Sequence, residues 1–299
     1  MKQINYFLSL SLVLLSVSCG QQQPSSLDNQ EQKCDTSQLR IAVMPTVDCL
    51  PLYVASERGF FKKEGLDVSL LCYQAQMDCD TSFLRGHANA IVTDLVRAQR
   101  MVRVDSAKLT YITATNASWQ LLYDTLRVKP SLSNLDDKMI AMTRFSATHL
   151  LSDTIVEKAK LMQDRVYRVQ FNDLNVRLSM FFTGTMDAML LPEPHATAAR
   201  NRGAKVFYNS ADADLWLGVI AIDTDALKTV DTGAFNKAYD EACDSLNEYG
   251  VKGYASIAEK YCAVNRAVVD SLPAIQFKHS DAPRQKDVNI ASQWLMKKM

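Results

Sequence analysis

The sequence lacks the charge excess that nucleic-acid-binding proteins carry. Its 33 basic residues balance 33 acidic ones over 299 residues, and no basic stripe interleaved with aromatic residues occurs. Because binding to phosphates requires clustered Lys and Arg side chains, this balance argues against a polyanionic partner. We therefore expect no nucleic acid among the partners of this protein.

The motifs of several catalytic and metal-binding classes are also missing. The chain contains no Gly-x-Ser-x-Gly elbow, no P-loop, no Gly-x-Gly-x-x-Gly, no Cys-x-x-Cys and no His-x-x-x-His. Nucleophilic, nucleotide-dependent and zinc chemistry usually rely on one of these arrangements. The sequence thus predicts a protein that is not an enzyme and that carries neither a cofactor nor a metal.

Long apolar runs are confined to the first residues of the chain. Lys2 is followed by an apolar run from Tyr6 to Val17, and Ser18 stands before Cys19. This run of about twelve residues is shorter than the roughly twenty that span a bilayer, and its order is that of a secretion signal. We interpret residues 1–18 as a signal peptide.

The segment Ser16-Val17-Ser18-Cys19 resembles the bacterial lipobox. The resemblance implies that Cys19 is lipidated and becomes the mature N-terminus, whereas simple secretion is the alternative. Residues 19–38 are polar, without an apolar period, and are interpreted as a tether. The predicted location is the cell envelope, facing the periplasm or the outer face of the cell membrane, with contact to the membrane through the lipid alone.

Six further cysteines are present, an even number that suits an oxidising compartment. They are Cys34, Cys49, Cys72, Cys79, Cys243 and Cys262. Cys243 and Cys262 fall in neighbouring predicted helices, so we predict a disulfide between these two. The pairing of the other four stays open.

Strands and helices alternate along the chain in two cycles. Predicted strands cover residues 39–44, 66–71, 88–92, 109–114, 120–124, 139–142, 166–171, 188–191 and 217–222, and predicted helices cover 51–58, 80–85, 95–101, 150–162 and 174–182. Such alternation predicts mostly parallel sheets flanked by helices. Turn-forming residues at 129–135 indicate a lobe boundary, which gives a first lobe over 39–130, a second over 131–215, and a return strand with helices over 216–299 that belongs mainly to the first lobe.

Two segments carry a resemblance to a known family. Ala55, Gly59, Phe60, Phe61, Gly65, Leu66 and Val68 fit the pattern A-x-x-x-G-F-F-x-x-x-G-L-x-V, and Gly184, Asp187, Glu193 and Pro194 fit a second motif. The chain thereby resembles the nitrate, sulfonate and thiamine-precursor group of ABC solute-binding proteins. The resemblance implies an α/β fold of the type II periplasmic-binding-protein class, with two lobes and a two-strand hinge. It also implies a monomer that delivers a small-molecule ligand to an ABC permease and ATPase complex.

Ligands of open α/β sheets bind beyond the carboxyl ends of the strands, so two lobes provide two facing rims. The first rim is predicted to contain Thr46, Asp48, Leu50, Thr93, Asp94, Asn116 and Trp119, the second Ser146, Thr148, His149, Asn172, Glu193 and His195, and the loop before the last strand adds Trp216. Helix capping is the structural alternative for Asp48, Ser146 and Asn172, and core packing is the alternative for the tryptophans.

The charges at these rims are compatible with two classes of ligand. Asp48, Asp94 and Glu193 favour a cationic or amine-bearing heterocycle, with Trp119 as a stacking face, and we prefer a pyrimidine-like compound. Alternatively, Arg144 and the Ser146–His149 segment at a helix N-terminus would hold an oxyanion such as a sulfonate or nitrate.

Three other functions remain open from the sequence. The first is an enzyme of the same fold, similar to proteins of the menaquinone pathway. The second is a metal-capturing receptor that uses Asp48, His149, Glu193 and His195. The third is a surface lipoprotein whose cleft no longer binds a small molecule.

Overall fold

The structure, a computed structural model, describes residues 38–299. The predicted signal peptide, the lipidation site Cys19 and the cysteine Cys34 lie outside the described residues. Over residues 38–299, no helix combines the length and the apolar character that a membrane span requires.

Ten strands and eleven helices make up the described chain. The strands are β1 (Leu39–Val43), β2 (Val68–Cys72), β3 (Ala90–Asp94), β4 (Leu109–Ala114), β5 (Trp119–Tyr123), β6 (Lys138–Met142), β7 (Val166–Gln170), β8 (Ala188–Pro192), β9 (Lys205–Asn209) and β10 (Gly218–Asp223). The helices are α1 (Leu50–Glu57), α2 (Phe60–Lys63), α3 (Gln76–Leu84), α4 (Leu95–Val104), α5 (Ala147–Lys158), α6 (Leu174–Phe182), α7 (His195–Arg200), α8 (Thr232–Gly253), α9 (Ala255–Cys262), α10 (Arg266–Asp270) and α11 (Gln285–Lys298). Every predicted strand is present within about two residues of its predicted bounds, and β9 was not predicted.

The strands form two five-stranded sheets of the same topology. The first sheet has the order β2-β1-β3-β10-β4 and the second the order β7-β6-β8-β5-β9. In each sheet one strand, β10 or β5, runs antiparallel to its two neighbours, and the other strands run parallel to one another. Each antiparallel strand is supplied by the chain as it crosses between the sheets. The prediction of a two-lobed α/β fold with mostly parallel sheets is confirmed; lobe 1 and lobe 2 below denote these sheets with their helices.

The central strands consist of continuous apolar runs, which favour a buried position inside each sheet. β3, β8 and β10 are buried along nearly their whole length, as expected of strands covered by helices on both faces. Polar residues appear only where these strands end. The carboxyl ends of β1, β3, β6 and β8 therefore bring the polar groups of both lobes to facing edges.

The chain crosses between the lobes twice, at residues 115–118 and at residues 210–217. β5 already belongs to the second sheet, where it pairs with β8 and β9. The first crossing thus precedes the boundary that we placed at residues 130 and 131, and those residues lie inside lobe 2. The difference arises because β5 is inserted between strands that are remote in sequence, which no local pattern reports.

The first crossing contacts Gly218, the first residue of β10, directly after the second crossing. The Thr115 backbone N–H donates a hydrogen bond to the Gly218 carbonyl oxygen at 2.9 Å. A Cβ atom on residue 218 would lie 2.2 Å from Thr115 Oγ1 and 2.5 Å from the Cβ of Ala117. Glycine is required here because the backbones approach more closely than any side chain allows.

The predicted disulfide between Cys243 and Cys262 is wrong. Both residues are buried free thiols, as are Cys49 and Cys79, and Cys72 is a free, exposed thiol. Cys243 Sγ lies 3.3 Å from the Lys278 carbonyl oxygen, to which it donates a hydrogen bond. Helices α8 and α9 are adjacent in sequence, but their two thiols are not paired. Each thiol packs into a different part of lobe 1.

Helix α11 and α4 of lobe 1 pack against each other, and both also contact α5 of lobe 2. Asp153 on α5 accepts a hydrogen bond from Trp294 Nε1 at 3.0 Å and forms an ion pair with Lys298 Nζ at 2.8 Å. The C-terminal helix therefore links the two lobes on the α4 side of the cleft.

Replacement of Gly218 should destabilise the fold. Gly218→Ala forces Thr115 and Ala117 apart, and overpacking of this kind costs about 1–3 kcal/mol of unfolding free energy. Urea unfolding followed by circular dichroism measures the change. Gly233→Ala in α8 is the control, because its nearest atom would lie 3.2 Å away, at Asp231; a Gly218→Ala variant as stable as this control would contradict the account of the crossing.

Candidate functional site

A cavity lies between the two lobes at the carboxyl ends of their strands. Its volume is about 60 Å³. Lobe 1 contributes Met44, Thr46, Asp48, Gln76, Val92, Thr93 and Asp94, and lobe 2 contributes Trp119, Thr143, Ser146, Thr148, Asn172, Leu174, Arg177 and Pro192. We call this cavity the cleft. Its position follows from the topology, because parallel strands of both sheets end there.

The lobes touch on both sides of the cleft. The Val47 backbone N–H donates to the Glu193 carbonyl oxygen at 2.9 Å, and Asn175 Nδ2 donates to Gln74 Oε1 at 3.1 Å. Since pockets for small organic ligands usually measure about 300–1,000 Å³, the lobes must separate before a heterocycle can enter.

Asp94 is a buried carboxylate at the junction of β3 and α4. Its Oδ1 accepts hydrogen bonds from the backbone N–H groups of Val96 at 2.9 Å and Arg97 at 3.0 Å, so the residue caps α4. Burial raises the pKa of the Asp94 carboxyl to about 6, although the nearby Arg97 guanidinium partly offsets this rise. The ionised and neutral forms of Asp94 are therefore both accessible near neutral pH.

Asp48 is the second buried carboxylate of the cleft. Burial raises the pKa of its carboxyl group, and hydrogen bonds from Thr46 and Thr115 act in the opposite direction. Thr115 Oγ1 donates to Asp48 Oδ2 at 3.0 Å. Thr115 belongs to the first crossing, and the two crossings at residues 115–118 and 210–217 form the hinge between the lobes. The Asp48 carboxylate is therefore hydrogen-bonded directly to the hinge.

Thr93 supplies a polar group with no protein partner. Its Oγ1 atom is buried, and no hydrogen-bond partner for it exists within residues 38–299. An unpaired buried hydroxyl costs free energy, so native structures normally supply it with a partner. Thr93 lies beside Asp94 at the end of β3, where a bound molecule would reach both side chains.

Arg177 is a fully buried cation in the wall of the cleft that our sequence analysis missed. It donates to the Leu190 carbonyl oxygen and to Thr143 Oγ1, both at 2.6 Å, and also to the Phe171 carbonyl oxygen. Burial lowers its pKa to about 10. A sequence signal did exist, since Arg177 interrupts an otherwise largely apolar helical segment, but helix periodicity alone does not tell a buried Arg from an exposed one.

Eight of the predicted ligand-binding residues line the cleft. They are Thr46, Asp48, Thr93, Asp94, Trp119, Ser146, Thr148 and Asn172. Asn116, Glu193 and Trp216 line a neighbouring cavity of about 370 Å³, which also borders Asp48. Leu50, His149 and His195 line neither cavity.

The three residues outside both cavities have structural surroundings of their own. Leu50 is wholly buried at the start of α1. His149 Nδ1 accepts a hydrogen bond from the Phe145 backbone N–H at 3.2 Å, and its ring packs edge-on against Trp294. His195 is wholly buried, and burial lowers the pKa of both imidazoles to about 4. Both histidines are therefore neutral at pH 7.

Glu193 is the centre of a hydrogen-bond network in lobe 2. Its Oε1 accepts from Gln120 Nε2 and from Arg200, each at 2.8 Å, and its Oε2 accepts from the Thr197 backbone N–H at 2.9 Å. Both carboxylate oxygens thus have protein partners. Removal of a side chain that is hydrogen-bonded within a buried network usually destabilises the protein. These hydrogen bonds are therefore sufficient to account for the buried position of Glu193 without a ligand.

The residues of the proposed metal receptor are not brought together. Among the residues that the structure describes, no group of three or more His, Cys, Asp or Glu side chains is arranged to hold a metal ion. Asp48 lines the cleft, whereas His149 contacts α11 and His195 is buried at the start of α7. The metal interpretation has no geometric support in this region.

Solved structures with the same fold include both binding proteins and an enzyme. The alkanesulfonate-binding protein SsuA from Xanthomonas axonopodis pv. citri, bound to MOPS, is 17% identical with a TM-score of 0.72, and the match covers 87% of this chain and 91% of that one. The periplasmic nitrate-binding protein NrtA from Synechocystis PCC 6803 is 13% identical with a TM-score of 0.70, over 78% and 69%. The desulfurization enzyme DSZB is 12% identical with a TM-score of 0.64, over 87% and 92%. At these identities the likeness establishes the fold alone.

Comparison of the sequence with curated proteins finds no significant match. A protein-family model described as NMT1/THI5 like matches residues 46–257. This match includes every residue that lines the cleft except Met44, together with both chain crossings. The chain belongs to the NMT1/THI5-like family.

Proposed function

We propose that this protein is the solute-binding component of an ABC importer. It captures a small molecule between its two lobes, performs no chemistry on it, and delivers it to a permease and ATPase complex. Family membership and the likeness to sulfonate-binding and nitrate-binding proteins support this role. The observation that carries the proposal is the unpartnered Thr93 hydroxyl beside two buried carboxylates, at the interface of two lobes joined by two crossings.

The favoured ligand is an amine-bearing heterocycle of the pyrimidine class. Asp48 and Asp94 are acceptors that would pair with amine or ring N–H donors, and Trp119 offers an aromatic surface. A sulfonate or nitrate is the second candidate. The oxyanion reading is weaker because the one buried guanidinium in the cleft wall, that of Arg177, is already hydrogen-bonded to protein oxygens. An anion would also lie near two carboxylates.

Ligand binding favours the closed arrangement of the lobes. Thr93 and Asp94 belong to lobe 1, and Trp119, Thr148 and Asn172 belong to lobe 2. A ligand that contacts both sets makes its full interactions only when the lobes meet, so it stabilises that state selectively. Closure would then be the form that the transporter recognises.

Removal of the Thr93 hydroxyl should weaken ligand binding without destabilising the protein. Thr93→Val keeps the shape of the side chain and deletes a group that bonds to nothing in the described chain, so the unfolding free energy should be unchanged or slightly higher. The dissociation constant of the ligand should rise about tenfold, the value of one hydrogen bond.

Thr113→Val is the matched control, because Thr113 is a buried residue outside the cleft whose Oγ1 accepts a hydrogen bond from the Asp281 backbone N–H at 3.0 Å. This variant should lose stability. Calorimetric titration and thermal unfolding of both variants separate the two effects. Unchanged affinity in Thr93→Val would remove Thr93 from the site.

The pH dependence of binding distinguishes the two ligand classes. A cation binds best to ionised Asp94, whose pKa is raised to about 6 by burial. Affinity for an aminomethylpyrimidine, whose side-chain ammonium stays charged, should rise as pH increases from 5 to 7, by up to about tenfold per unit below the pKa. Affinity for ethanesulfonate should fall over the same interval.

Asp94→Asn is the control for this experiment, because Asn caps a helix as well as Asp does. The variant should lose most of the pH dependence and keep its fold. Saturable binding of ethanesulfonate with none of the pyrimidine, measured by calorimetry, would reverse the ligand assignment. Binding of neither class would contradict the solute-binding proposal for these ligands.

We also propose that the protein is a lipoprotein anchored through Cys19. Metabolic labelling with palmitate in a bacterial host should label the wild type and Cys34→Ser, whereas Cys19→Ser should carry no label and enter the soluble fraction. Both cysteines lie before the described residues. Equal labelling of the Cys19→Ser variant would exclude this residue as the acylation site.

A further inference from the structure

A further cavity lies against the hinge, outside the cleft. Its volume is about 180 Å³. Thr115 and Asn116 of the first crossing and Trp216 of the second form one wall, and Lys278, Arg284 and Asp287 of the C-terminal region form the other. We call it the hinge cavity. The cleft and the hinge cavity share no lining residue, whereas Asn116, Trp216 and Lys278 also line the neighbouring cavity of about 370 Å³.

Two oxygen atoms at this cavity have no partner in the described chain. Asp287 is wholly buried, and its Oδ2 accepts from Arg284 Nε at 2.7 Å while its Oδ1 accepts from nothing. Asn116 Oδ1 on the opposite wall is also buried and unpartnered. An unpaired buried acceptor costs free energy, and the cost is larger when the acceptor belongs to a charged group. We therefore expect both oxygen atoms to bind a hydrogen-bond donor.

The cations that surround the cavity are already engaged elsewhere. Besides its bond to Asp287, Arg284 donates to Asp214 Oδ1 at 2.6 Å and to the Asp214 carbonyl oxygen at 2.8 Å. His279 Nε2 lies 2.6 Å from Asp244 Oδ1. Lys278 Nζ lies 5.0 Å from the centre of the Trp216 ring, a cation–π distance. No donor of residues 38–299 lies within hydrogen-bond distance of either free oxygen, so the donors must come from outside this part of the protein.

We propose that the hinge cavity is a second binding site, specific for a compact primary amine. The ammonium group of such a ligand donates to Asp287 Oδ1, and a second donor on the same molecule reaches Asn116 Oδ1. The Trp216 ring, which already faces one cation, provides a surface suited to a positively charged guest.

Ethanolamine is a suitable probe, because it carries an ammonium and a hydroxyl on two carbons, and ethylene glycol is its neutral counterpart. Fluorotryptophan labelling gives one ¹⁹F resonance for each of the 3 tryptophans, and Trp216→Phe assigns the resonance of interest. Ethanolamine should shift the Trp216 resonance saturably at millimolar concentration. Ethylene glycol should not shift it.

Variants locate the bound amine. Asp287→Asn removes a charge from one wall, and Asn116→Ala removes an acceptor from the opposite wall. Each substitution should weaken ethanolamine binding about tenfold or more, the value of a hydrogen bond to a charged group. Asp225→Asn is the matched control, since Asp225 is an exposed carboxylate that pairs with Lys228 and does not line the cavity. Its affinity for ethanolamine should match that of the wild type, and the thermal unfolding of each variant verifies that it is folded.

Three results would overturn the site. The first is the absence of a saturable Trp216 shift, which would mean that only water binds the two oxygens. The second is an equal response to ethylene glycol. The third is loss of ethanolamine binding in Asp94→Asn while Asp287→Asn and Asn116→Ala still bind it. The last result would place the amine in the cleft and leave the proposed solute-binding function intact. Failure of the cleft ligands to bind would, in turn, leave the Trp216 result unaffected.

Discussion

Contact between the first chain crossing and Gly218, directly after the second crossing, is the constraint on which the rest of the structure depends. Thr115 and Gly218 are hydrogen-bonded through their backbones, and the space beside Gly218 is filled by Thr115 and Ala117. Each crossing also feeds an antiparallel strand into the centre of a sheet. Because Thr115 Oγ1 donates to Asp48 as well, the hinge and the cleft share a residue. A change in the angle between the lobes must therefore alter the surroundings of a cleft carboxylate.

The cleft combines buried acidic groups with a cation that is already satisfied. Burial raises the pKa values of the Asp48 and Asp94 carboxyl groups. The Arg177 guanidinium, in contrast, already donates hydrogen bonds to the Leu190 carbonyl oxygen and to Thr143. A buried charge without a counter-charge is unfavourable. In the proposed function a donor-bearing ligand relieves this cost in the closed form only, so the same groups provide both recognition and closure. Asp287 at the hinge cavity presents a similar case on a smaller scale, because its Oδ2 pairs with Arg284 but its Oδ1 has no partner.

Local patterns were sufficient to predict most elements but not their partners. Apolar runs such as Met189–Leu191 identified the central strands, because strands covered on both faces must be apolar throughout. β9 was missed, since it is an edge strand that starts with the exposed residues Lys205 and Val206 and is only half-buried beyond them. Assignment of β5 to lobe 1 failed for a different reason. Strand insertion depends on pairing with residues 188–192 and 205–209, and nothing within 119–123 encodes that choice.

The sequence by itself determined the alternation of strands and helices, the two-lobed α/β class and the rim positions Thr93, Asp94 and Thr148, because all of these follow from hydrophobic periodicity and from where strands end. Only the tertiary structure decided which polar groups remain unpaired. It satisfied Glu193 through Gln120 and Arg200, buried His195, kept the cysteine thiols of residues 38–299 free, and left Thr93 Oγ1 without a partner. Hydrogen bonding is a property of atoms brought together from distant parts of the chain, so residue type and spacing alone do not reveal it.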